Sequence, residues 1–384
     1  MRALGLMSGT SLDGVDAALV EIVPDGEGYR VRLERFATQP FDERLRERLA
    51  AALPPQAGSS AAVAQLHADL GAAFVTAAVA IKGTTTIDFI ATHGLTLYHD
   101  GPRATTLQIG RPYELRDALG ATVIWDFRSA DCALHGSGAP LVPYVDALLL
   151  GSQEEDRVAV NIGGIANLTI LPRGGTSSDA FAFDSGPGVM LLDAFVAERT
   201  GEPYDRDGRY TAAGTVDTTL LRALLAHPYF ALPPPKSTGR EQFGRQVLDE
   251  HRKALEGISV EDGCATLAAL TVQSLAAAIR THAPHRARVI LGGGGARNRA
   301  LREMLQIALG GDWPIGLADA YGLDADAKEA IAFALLGYET LRGRPANLPR
   351  VTGARAATVL GAIVPHELGA LLAKVQREVE ARHR

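Results

Sequence analysis

Several features that define large classes of protein are scarce in this sequence. It contains only two cysteines, Cys132 and Cys264, which lie far apart and lack the ligand spacing of a zinc site. A disulfide scaffold and a cysteine-based zinc centre are therefore excluded, and we expect both thiols to be reduced. Lysine and arginine form no basic block, and the formal net charge is −6. Nucleic acid and anionic membranes are accordingly poor candidates for a partner.

Long apolar runs are scarce as well. The richest, residues 72–81, is short and ends at Lys82, and the N-terminal apolar stretch is interrupted by Gly5 and Ser8. We therefore expect a cytoplasmic protein with neither a signal peptide nor a membrane span. Hydrophobic residues make up 47% and charged residues 21% of the 384 positions, which is typical of a globular protein, and this length suggests two domains.

The first chemical signal lies at the N-terminus. Residues 2–7 and 15–23 have the pattern of strands, and residues 9–14 form a turn between them. Glycines let a backbone approach phosphate, Thr10 and Ser11 offer donors, and Asp13 or Asp16 would suit a water-ligated Mg²⁺. The turn therefore has the composition of a nucleotide phosphate loop. A tight hairpin that uses glycine and aspartate for turn geometry explains the same residues, and at this point both interpretations stay open.

The remaining pattern predicts two mixed α/β units. In the first, strands are expected at residues 29–38, 87–92, 105–109 and 121–127, with helices at 42–53 and from residues 59 and 112; the strand 87–92 ends at His93-Gly94. In the second, strands are expected at residues 157–161, 165–171, 180–183 and 288–291, with helices from residues 140, 189, 259, 299 and 327. Residues 201–245 are rich in glycine, proline and charge, which is typical of a functional or mobile segment.

Three glycine turns follow three predicted buried strands, at residues 9–14, 161–167 and 292–298. If they lie at the carboxyl ends of strands, where open α/β sheets bind ligands, one nucleotide would contact all three. Gly293-x-Gly295 lacks the third glycine of a dinucleotide-binding fingerprint, and Lys236-Ser237 lacks the glycine that precedes them in a Walker loop. The turns therefore favour a phosphate site outside both of those classes.

Asp184 follows a predicted strand and precedes Ser185-Gly186-Pro187-Gly188, which begins a predicted helix. A carboxylate at such a position would accept a proton from a hydroxyl or water that attacks next to a γ-phosphate. The alternative interpretation is that Asp184 caps the helix, and the residues leave both open.

Nine stretches, in order and over nearly the whole chain, resemble the anhydro-N-acetylmuramic acid kinase family. They are residues 5–16, His93-Gly94 with His99, and residues 107–110, 126–131, 138–143, 161–169, 183–188, 236–241 and 292–294. The resemblance implies two ribonuclease-H-like α/β domains of the actin, hexokinase and Hsp70 type, with mixed sheets flanked by helices and an active-site cleft between them. The expected domains are residues 1–130 with a C-terminal helix at 366–384, which carry the phosphate loop, and residues 131–365, which carry the catalytic aspartate.

The resemblance also implies ATP and Mg²⁺ as cofactors, Asp184 as the catalytic base and Asp13 as the metal ligand. The nucleotide-binding residues that it implies are Gly9, Thr10, Ser11, Leu12, Asp13, Gly14, Val15, Asp16, Asn161, Gly163, Gly164, Asn167, Gly292, Gly293 and Gly294. His93, Arg128, Asp131 and Glu329 are expected to bind the sugar, from their positions in the motifs. The implied partners are an amino sugar and ATP, with a homodimer as the assembly.

The family reaction hydrolyses the 1,6-anhydro ring of N-acetylmuramic acid and phosphorylates the released 6-hydroxyl, which gives the 6-phosphate and ADP in cell-wall recycling. Four positions depart from the family pattern: Leu95 and Gly244 and Val189 replace amide residues, and Ser185 replaces threonine. These departures leave open an altered-substrate sugar kinase. A non-catalytic, chaperone-like ATP-binding module of the same fold is the second alternative, and a polyphosphate phosphatase would require a basic channel that this acidic chain does not suggest.

Overall fold

The computed structural model describes residues 1–9, 11–25, 28–54 and 58–380, so the predicted loop residue Thr10 lies outside the described residues. The strands are β1 (Arg2–Ser8), β2 (Gly14–Asp25), β3 (Gly28–Pro40), β4 (Phe89–Asp100), β5 (Thr105–Ile109), β6 (Thr122–Trp125), β7 (Arg157–Ile162), β8 (Ile165–Leu171), β9 (Phe181–Pro187), β10 (Arg288–Gly292), β11 (Ile315–Leu317) and β12 (Ala362–Val364). The helices are α1 (Glu43–Ala52), α2 (Ser60–Lys82), α3 (Pro112–Leu119), α4 (Ser129–Ala133), α5 (Val142–Leu150), α6 (Met190–Thr200), α7 (Arg209–Ala213), α8 (Thr218–Leu225), α9 (Arg240–Phe243), α10 (Arg245–Glu250), α11 (Arg252–Glu256), α12 (Val260–His282), α13 (Arg299–Leu309), α14 (Lys328–Leu341), α15 (Pro349–Thr352) and α16 (Leu368–Glu380).

The chain forms two compact units, Met1–Leu149 together with the chain from Gly322 onward, and Leu150–Tyr321. The division expected from the sequence was 1–130 with 366–384, and 131–365. The bounds differ because α14 packs on β1, β2 and β4 of the first sheet, which places residues beyond 321 with the N-terminal unit. That packing joins segments far apart in sequence, so no local sequence pattern predicts it.

The first unit is built on a mixed sheet with the strand order β12-β6-β4-β1-β2-β3, and β5 pairs with β4. The central strands β1, β4 and β6 are parallel, while β2, β3, β5 and β12 are antiparallel to their neighbours. Six of the seven β1 residues are buried because α2 and α14 pack on this sheet. A strand covered on both faces is expected to be a continuous apolar run, as the sequence from Ala3 onward is.

The strand predicted at residues 87–92 is longer than expected. It continues as β4 through His93-Gly94 to Asp100 and pairs with β5 as a hairpin, so the expectation of an exit turn at His93-Gly94 is wrong. Gly94 has φ +72° within this strand, and a Cβ there would lie 2.4 Å from the Ile109 carbonyl oxygen. Only glycine fits this close approach, so the dipeptide marks an irregular strand rather than its end.

The second unit is built on a mixed sheet with the strand order β11-β10-β7-β8-β9. β10 is parallel to β7 and β11, while β8 runs antiparallel to β7 and β9. The predicted strand 180–183 extends as β9 to Pro187, so Asp184 lies within the strand rather than after it. Helix α12 packs on this sheet and also contacts α6, α7, α8 and α13.

Helices α2 and α12 are both 23 residues long and are, by length and composition alone, apolar enough to cross a membrane. The expectation that no such segment exists is therefore wrong on that criterion. In α12, 78% of the most apolar 18-residue stretch is buried, and α2 packs on β2, β3 and α3. Core helices of globular proteins have these properties, so the two helices are weak evidence for a membrane span.

Gly5 in β1 tests the packing of α14 on the first sheet. A Cβ at this position would lie 1.9 Å from the Ala330 carbonyl oxygen in α14, and this backbone atom cannot move without displacing the helix. We expect Gly5→Ala to lower the free energy of unfolding by at least about 3 kcal/mol, measured by urea denaturation.

Gly369→Ala in α16 is the matched control, because no atom lies within 4 Å of a Cβ at that position. Alanine in a helix should leave stability unchanged or raise it by up to about 1 kcal/mol. Equal urea concentrations at the unfolding midpoint for the two variants would contradict the close packing of β1 on α14.

Candidate active site

The N-terminal loop of the first unit borders a pocket of about 330 Å³. Its lining residues are Gly9, Ser11, Asp13, Gly14, Asp16, Thr38 and Asp326. The base of the loop is closed by the Ser8 hydroxyl, which donates to the Gly14 carbonyl oxygen at 2.8 Å. Apart from the chain neighbours of Gly9, the one described atom within 4 Å of a Cβ placed on it is the Ser11 Oγ, at 3.7 Å. The Gly9 backbone therefore faces open space. An exposed backbone of this kind allows close approach by a phosphate.

Not every residue of the predicted phosphate loop faces the pocket. Leu12 and Val15 are buried in the apolar core of the unit with Phe74, and Leu12 adopts φ +60°. A Cβ on Gly14 would lie 2.1 Å from the Gln39 carbonyl oxygen, so close approach to β3 already accounts for this glycine. The side chains of Leu12 and Val15 therefore anchor the loop to the apolar core, and a ligand could reach only the backbone of these two residues.

Three aspartates give the pocket its negative charge. The Thr38 hydroxyl donates to Asp16 Oδ1 at 2.6 Å. Burial raises the pKa of Asp16, the Thr38 hydrogen bond lowers it, and the charges of Asp326 and Asp13 raise it again. A cation bound here would relieve that repulsion.

The oxygen donors of this pocket fit Mg²⁺, which binds through one or two carboxylates together with phosphate oxygens and water. Across the described residues, no group of three or more histidine, cysteine, aspartate or glutamate side chains forms a metal centre by itself. That arrangement agrees with a metal that arrives with a phosphate ligand. Asp13, which is exposed at the pocket, is the carboxylate predicted from the sequence.

A second polar group of the first unit joins three of the four predicted sugar-binding residues. Arg128 Nε donates to His93 Nε2 at 3.0 Å, and Arg128 Nη1 donates to the Gly138 carbonyl oxygen at 2.7 Å. His93 Nδ1 lies 3.1 Å from the Gly94 carbonyl oxygen, so we assign the ring proton to Nδ1. Burial and the Arg128 charge hold the pKa of His93 well below its usual value, which keeps the ring neutral.

Glu329, at the start of α14, belongs to the same electrostatic group. Desolvation raises the pKa of Glu329, the Arg128 guanidinium lowers it, and the charge of Asp16 raises it. The buried pair of Lys328 and Asp146, with Nζ and Oδ1 2.7 Å apart, anchors the adjoining residue of the helix to α5. Glu329 therefore links the polar group electrostatically with the phosphate-loop pocket in the first unit.

Asp131 occupies a different environment. It is fully buried, and its Oδ1 accepts hydrogen bonds from Asn347 Nδ2 and Thr352 Oγ1, both at 2.7 Å. Its Oδ2 accepts from the Gly138 N–H at 2.8 Å. We therefore propose that Asp131 fixes the loop before α5 to the segment around α15, and that it does not bind the sugar as expected from the sequence.

In the second unit, the strand register aligns four predicted residues in one row. Gly292 pairs with Asn161, Asn161 pairs with Asn167, and Asn167 pairs with Asp184 across β10, β7, β8 and β9. Residues directly opposite one another share a face of a sheet. The row lies at the carboxyl ends of β7 and β10, where ligands bind to open α/β sheets.

The glycine turns beside this row have distinct structural roles. The Gly163 carbonyl oxygen accepts from the Val189 N–H at 2.9 Å, and the Gly164 carbonyl oxygen accepts from the Gly188 N–H at 2.8 Å, so this turn binds the start of α6. Gly293 has φ +80°, and a Cβ there would lie 2.7 Å from the Ile162 carbonyl oxygen. No atom lies within 4 Å of a Cβ on Gly294, whose backbone is the open one in this turn.

Asp184 is held at three points by the segment between α8 and α9. Its N–H donates to the Lys236 carbonyl oxygen at 3.0 Å, its carbonyl oxygen accepts from the Tyr229 hydroxyl at 2.8 Å, and its Oδ2 accepts from the Thr238 N–H at 2.9 Å. The helix-capping interpretation is wrong, because the residue before α6 is Val189 and no side chain makes a capping hydrogen bond there.

The surroundings of Asp184 tune its acidity. Burial raises its pKa to about 6, the Thr238 N–H lowers it, and the charge of Glu241 raises it. A carboxylate with this pKa is largely ionised at pH 7 and still accepts a proton readily, which suits a general base. The sequence marked residues 201–245 as functional or mobile and residues 236–241 as a family motif, but it did not predict that Thr238 and Tyr229 contact Asp184, because these contacts are non-local.

The four departures from the family pattern have separate explanations. Leu95 is fully buried in the apolar core and pairs with Ile109, and the Ser185 hydroxyl donates to the Ala166 carbonyl oxygen at 3.1 Å. Val189 packs on the core of the second unit, and a Cβ on Gly244 would lie 2.4 Å from the Arg240 carbonyl oxygen. In this chain Leu95, Val189 and Gly244 serve packing and the Ser185 hydroxyl serves a hydrogen bond, and an altered sugar specificity stays a prediction.

Comparison with known proteins gives consistent matches over almost the whole chain. Residues 1–366 match the family model described as anhydro-N-acetylmuramic acid kinase. A relative of that name from Streptomyces coelicolor is 42% identical over 375 residues, which cover 95% of this chain and 94% of the relative. One from Xanthomonas axonopodis pv. citri is 44% identical over 373 residues, which cover 94% and 97%. These matches confirm the resemblance that the motifs indicated.

Among solved structures, a ROK family glucokinase from Streptomyces griseus in complex with glucose and AMPPNP is 16% identical and covers 88% of this chain and 99% of its own, with a TM-score of 0.40. The two mixed sheets flanked by helices, which the sequence predicted, are observed directly in this structure.

The raised pKa of Asp184 predicts how stability depends on pH. In the unfolded chain an aspartate titrates near its ordinary value of ~3.9, whereas in the folded protein the pKa is about 6. The folded state therefore loses stability as pH rises between these values, and the loss is complete above pH ~6. We expect Asp184→Asn to raise the free energy of unfolding by about 1–2 kcal/mol at pH 7.5, with a smaller gain at pH 4.5.

Chemical denaturation at both pH values measures this difference. The matched control is Asp319→Asn, at an exposed aspartate in the same unit. It should change the free energy of unfolding by no more than about 0.5 kcal/mol at either pH. A gain for Asp184→Asn that does not depend on pH would contradict the proposed environment of the carboxyl group.

The structural role of Asp131 predicts a large loss of stability on a small change. In Asp131→Asn the new NH₂ group must face a donor, either the Gly138 N–H or the Asn347 and Thr352 groups. We expect a loss of about 2–3 kcal/mol in the free energy of unfolding. Asp126→Asn, nearby and only partly buried, keeps an oxygen for the Ser129 N–H and hydroxyl and should lose less than about 1 kcal/mol. Similar losses for both variants would refute the assignment.

Proposed function

Because the chain belongs to the anhydro-N-acetylmuramic acid kinase family, we propose that it hydrolyses the 1,6-anhydro ring of N-acetylmuramic acid and transfers the γ-phosphate of ATP to the released 6-hydroxyl. The products are N-acetylmuramic acid 6-phosphate and ADP. Family membership makes the protein an ATP-dependent sugar kinase, an enzyme of the phosphotransferase class. The particular reaction on the anhydro sugar is the step that the following observations support.

The observation that carries the proposal is the carboxyl group of Asp184, whose pKa burial raises to about 6 while the Thr238 N–H donates to its Oδ2. The Lys236 carbonyl oxygen and the Tyr229 hydroxyl bind the backbone of the same residue and hold it in place. Asp184 accepts a proton from water as the water oxygen bonds to the anomeric carbon. The bond between that carbon and O6 breaks, and its electron pair stays on O6. O6 then attacks the γ-phosphorus in line, and the bond to the β-phosphate oxygen breaks to release ADP.

The remaining predicted residues divide between nucleotide and sugar. We propose that the exposed backbone of Gly9 with Ser11 and Asp13 meets phosphate, and that Asn161, Asn167 and the glycines from 292 to 294 meet the rest of the nucleotide. Mg²⁺, when bound with ATP at Asp13, supplies positive charge against the phosphate oxygens.

His93, Arg128 and Glu329 are the proposed sugar-binding residues. The Arg128 guanidinium supplies charge and donors, while neutral His93 fixes its orientation through the hydrogen bond between Nε and Nε2. We also propose that the protein is a cytoplasmic homodimer. The support for the compartment is that Cys132 and Cys264 are both free and buried, which suits a reducing environment. The dimer is supported by the family resemblance alone and is measurable by light scattering.

The first test is to incubate the protein with ATP, Mg²⁺ and 1,6-anhydro-N-acetylmuramic acid, and to measure ADP and the sugar phosphate by mass. We expect the wild type to form the ring-opened 6-phosphate, with one ¹⁸O atom at the anomeric carbon when the water is labelled. Asp184→Asn should lose at least about 10³-fold in kcat, because the amide accepts no proton.

Asp319→Asn serves as the control and should retain the wild-type rate. Release of ADP without a sugar product, or equal rates for Asp184→Asn and the wild type, would refute the proposal. The first result would instead favour an ATP-binding module or a kinase with an altered substrate.

A further inference from the structure

The chain passes from one unit to the other at two places, after Leu149 and again after Tyr321. A single connection lets two joined bodies turn about several axes. Two connections that are held side by side leave mainly bending about the line through both of them. The contacts that hold the connections within each unit therefore decide which movements such a joint allows.

In the second unit, one side chain contacts both connections. Arg157 Nη1 donates to the Leu150 carbonyl oxygen at 3.0 Å, and Arg157 Cζ lies 5.0 Å from the centroid of the Tyr321 ring. Leu150 is the last residue of α5, where a carbonyl oxygen has no helical N–H as a partner, so the guanidinium supplies a missing donor. The contact with the ring is a cation–π interaction. Arg157 thus holds the two connections next to each other.

The position of Arg157 is itself fixed by the second sheet. Arg157 is the first residue of β7, and it pairs with Arg288, the first residue of β10. Glu155 Oε1 accepts from the Nε atoms of both arginines, at 3.0 Å and 2.9 Å. The Arg157 side chain is only 18% exposed. The group that contacts both connections is therefore part of the sheet and does not move freely in solvent.

In the first unit, a buried ion pair holds the same two connections. Asp146 lies about one turn before Leu150 in α5, and Lys328 begins α14, which follows the second connection. The Asp146 Oδ1 and Lys328 Nζ atoms are 2.7 Å apart, and the side chains are 6% and 8% exposed. The Tyr144 hydroxyl of α5 also donates to Glu339 Oε2 of α14 at 2.6 Å. Helices α5 and α14 are therefore joined to each other at two points.

Gly322 lies in the second connection, between these two sets of contacts. It has φ +74°, and no atom of the described residues lies within 4 Å of a Cβ at this position. Backbone conformation, and not a lack of space, therefore explains the glycine. Hinges absorb domain movement at a few loop or element-terminal residues. A glycine between two held segments is the arrangement that a hinge requires.

We propose that Arg157 in the second unit, and the pair of Asp146 and Lys328 in the first, hold the two connections together as a hinge that confines movement of the units mainly to bending. This hinge is a property of the chain and does not depend on which reaction the protein catalyses. Loss of the Arg157 contacts frees the connections from each other within the second unit. The units then also twist, and a wider range of distances between them is populated.

Electron spin resonance measurements of the distance between two spin labels test this hinge. The labels are attached through Ala80→Cys in α2 of the first unit and Ile307→Cys in α13 of the second, since both positions are exposed and the native thiols are buried. We expect Arg157→Met to widen the distance distribution of the ligand-free protein at least about twofold. Methionine keeps an apolar stem but removes the donor and the positive charge.

Arg199→Met is the matched control, because Arg199 makes the same two kinds of contact within the second unit. Its Nη1 donates to the Leu255 carbonyl oxygen at 2.7 Å, and its Cζ lies 5.4 Å from the centroid of the Phe195 ring. These contacts join α6 to α11 and involve neither connection. The control should keep the wild-type width. A purely structural role of Arg157 would lower the stability of both variants and widen neither distribution.

Tyr321→Leu is a second variant, because it removes the ring beside Arg157 and leaves the hydrogen bond to Leu150 in place. It should widen the distribution, by less than Arg157→Met does. If Arg157→Met does not fold, Tyr321→Leu decides, and a wild-type width in that variant overturns the proposal. A wild-type width in folded Arg157→Met, or equal widening by Arg199→Met, also overturns it.

Discussion

The backbone hydrogen-bond ladder of the second sheet is the constraint on which the candidate chemistry depends. Its register sets Asn161, Asn167 and Asp184 opposite one another on three neighbouring strands, with Gly292 next to them on β10. A shift of one residue in β9 would turn Asp184 to the other face of the sheet. The bulge between Ala166 and Asn167, with the Ser185 hydroxyl bound to the Ala166 carbonyl oxygen, fixes the strand in this register. The position of the base is therefore a property of the ladder.

The carboxylates of Asp131 and Asp184 differ in how many hydrogen-bond donors they receive. Asp131 accepts three hydrogen bonds from groups of the protein, shared between both of its carboxylate oxygens. Asp184 receives one donor at its carboxylate, from the Thr238 N–H, and its pKa rises to about 6. Burial raises the pKa of Asp184, and its single donor offsets only part of that rise, which keeps the carboxylate basic.

Local chemistry was predicted well from the sequence, and long-range contacts were not. Ser59 and Ser259 cap α2 and α12 through the expected hydrogen bonds, and Pro112 begins α3, because capping is decided within four residues. The three-residue strands β11 and β12 were missed, since only their partners β10 and β6 define them. The full length of β4 and the role of Asp131 were also missed, as both depend on segments distant in sequence. For the candidate site, Asp184 and the glycine turns came from motifs. Thr238 lies in one of those motifs as well, but its contact with Asp184, like that of Tyr229, required the structure.

One departure from the family pattern shows how the hairpin of β4 and β5 is packed. Leu95 replaces an amide residue directly after His93-Gly94, and the sequence alone leaves open an altered sugar specificity. In the structure Leu95 points into the apolar core with Ile109, while the neighbouring pair of Thr96 and Gln108 faces the other side of the same hairpin. Because side chains alternate between the faces of a strand, Leu95 and Thr96 lie on opposite faces, and a change at 95 alters the packing of the core face. A substitution on the core face therefore need not disturb the polar contacts on the other face of the hairpin.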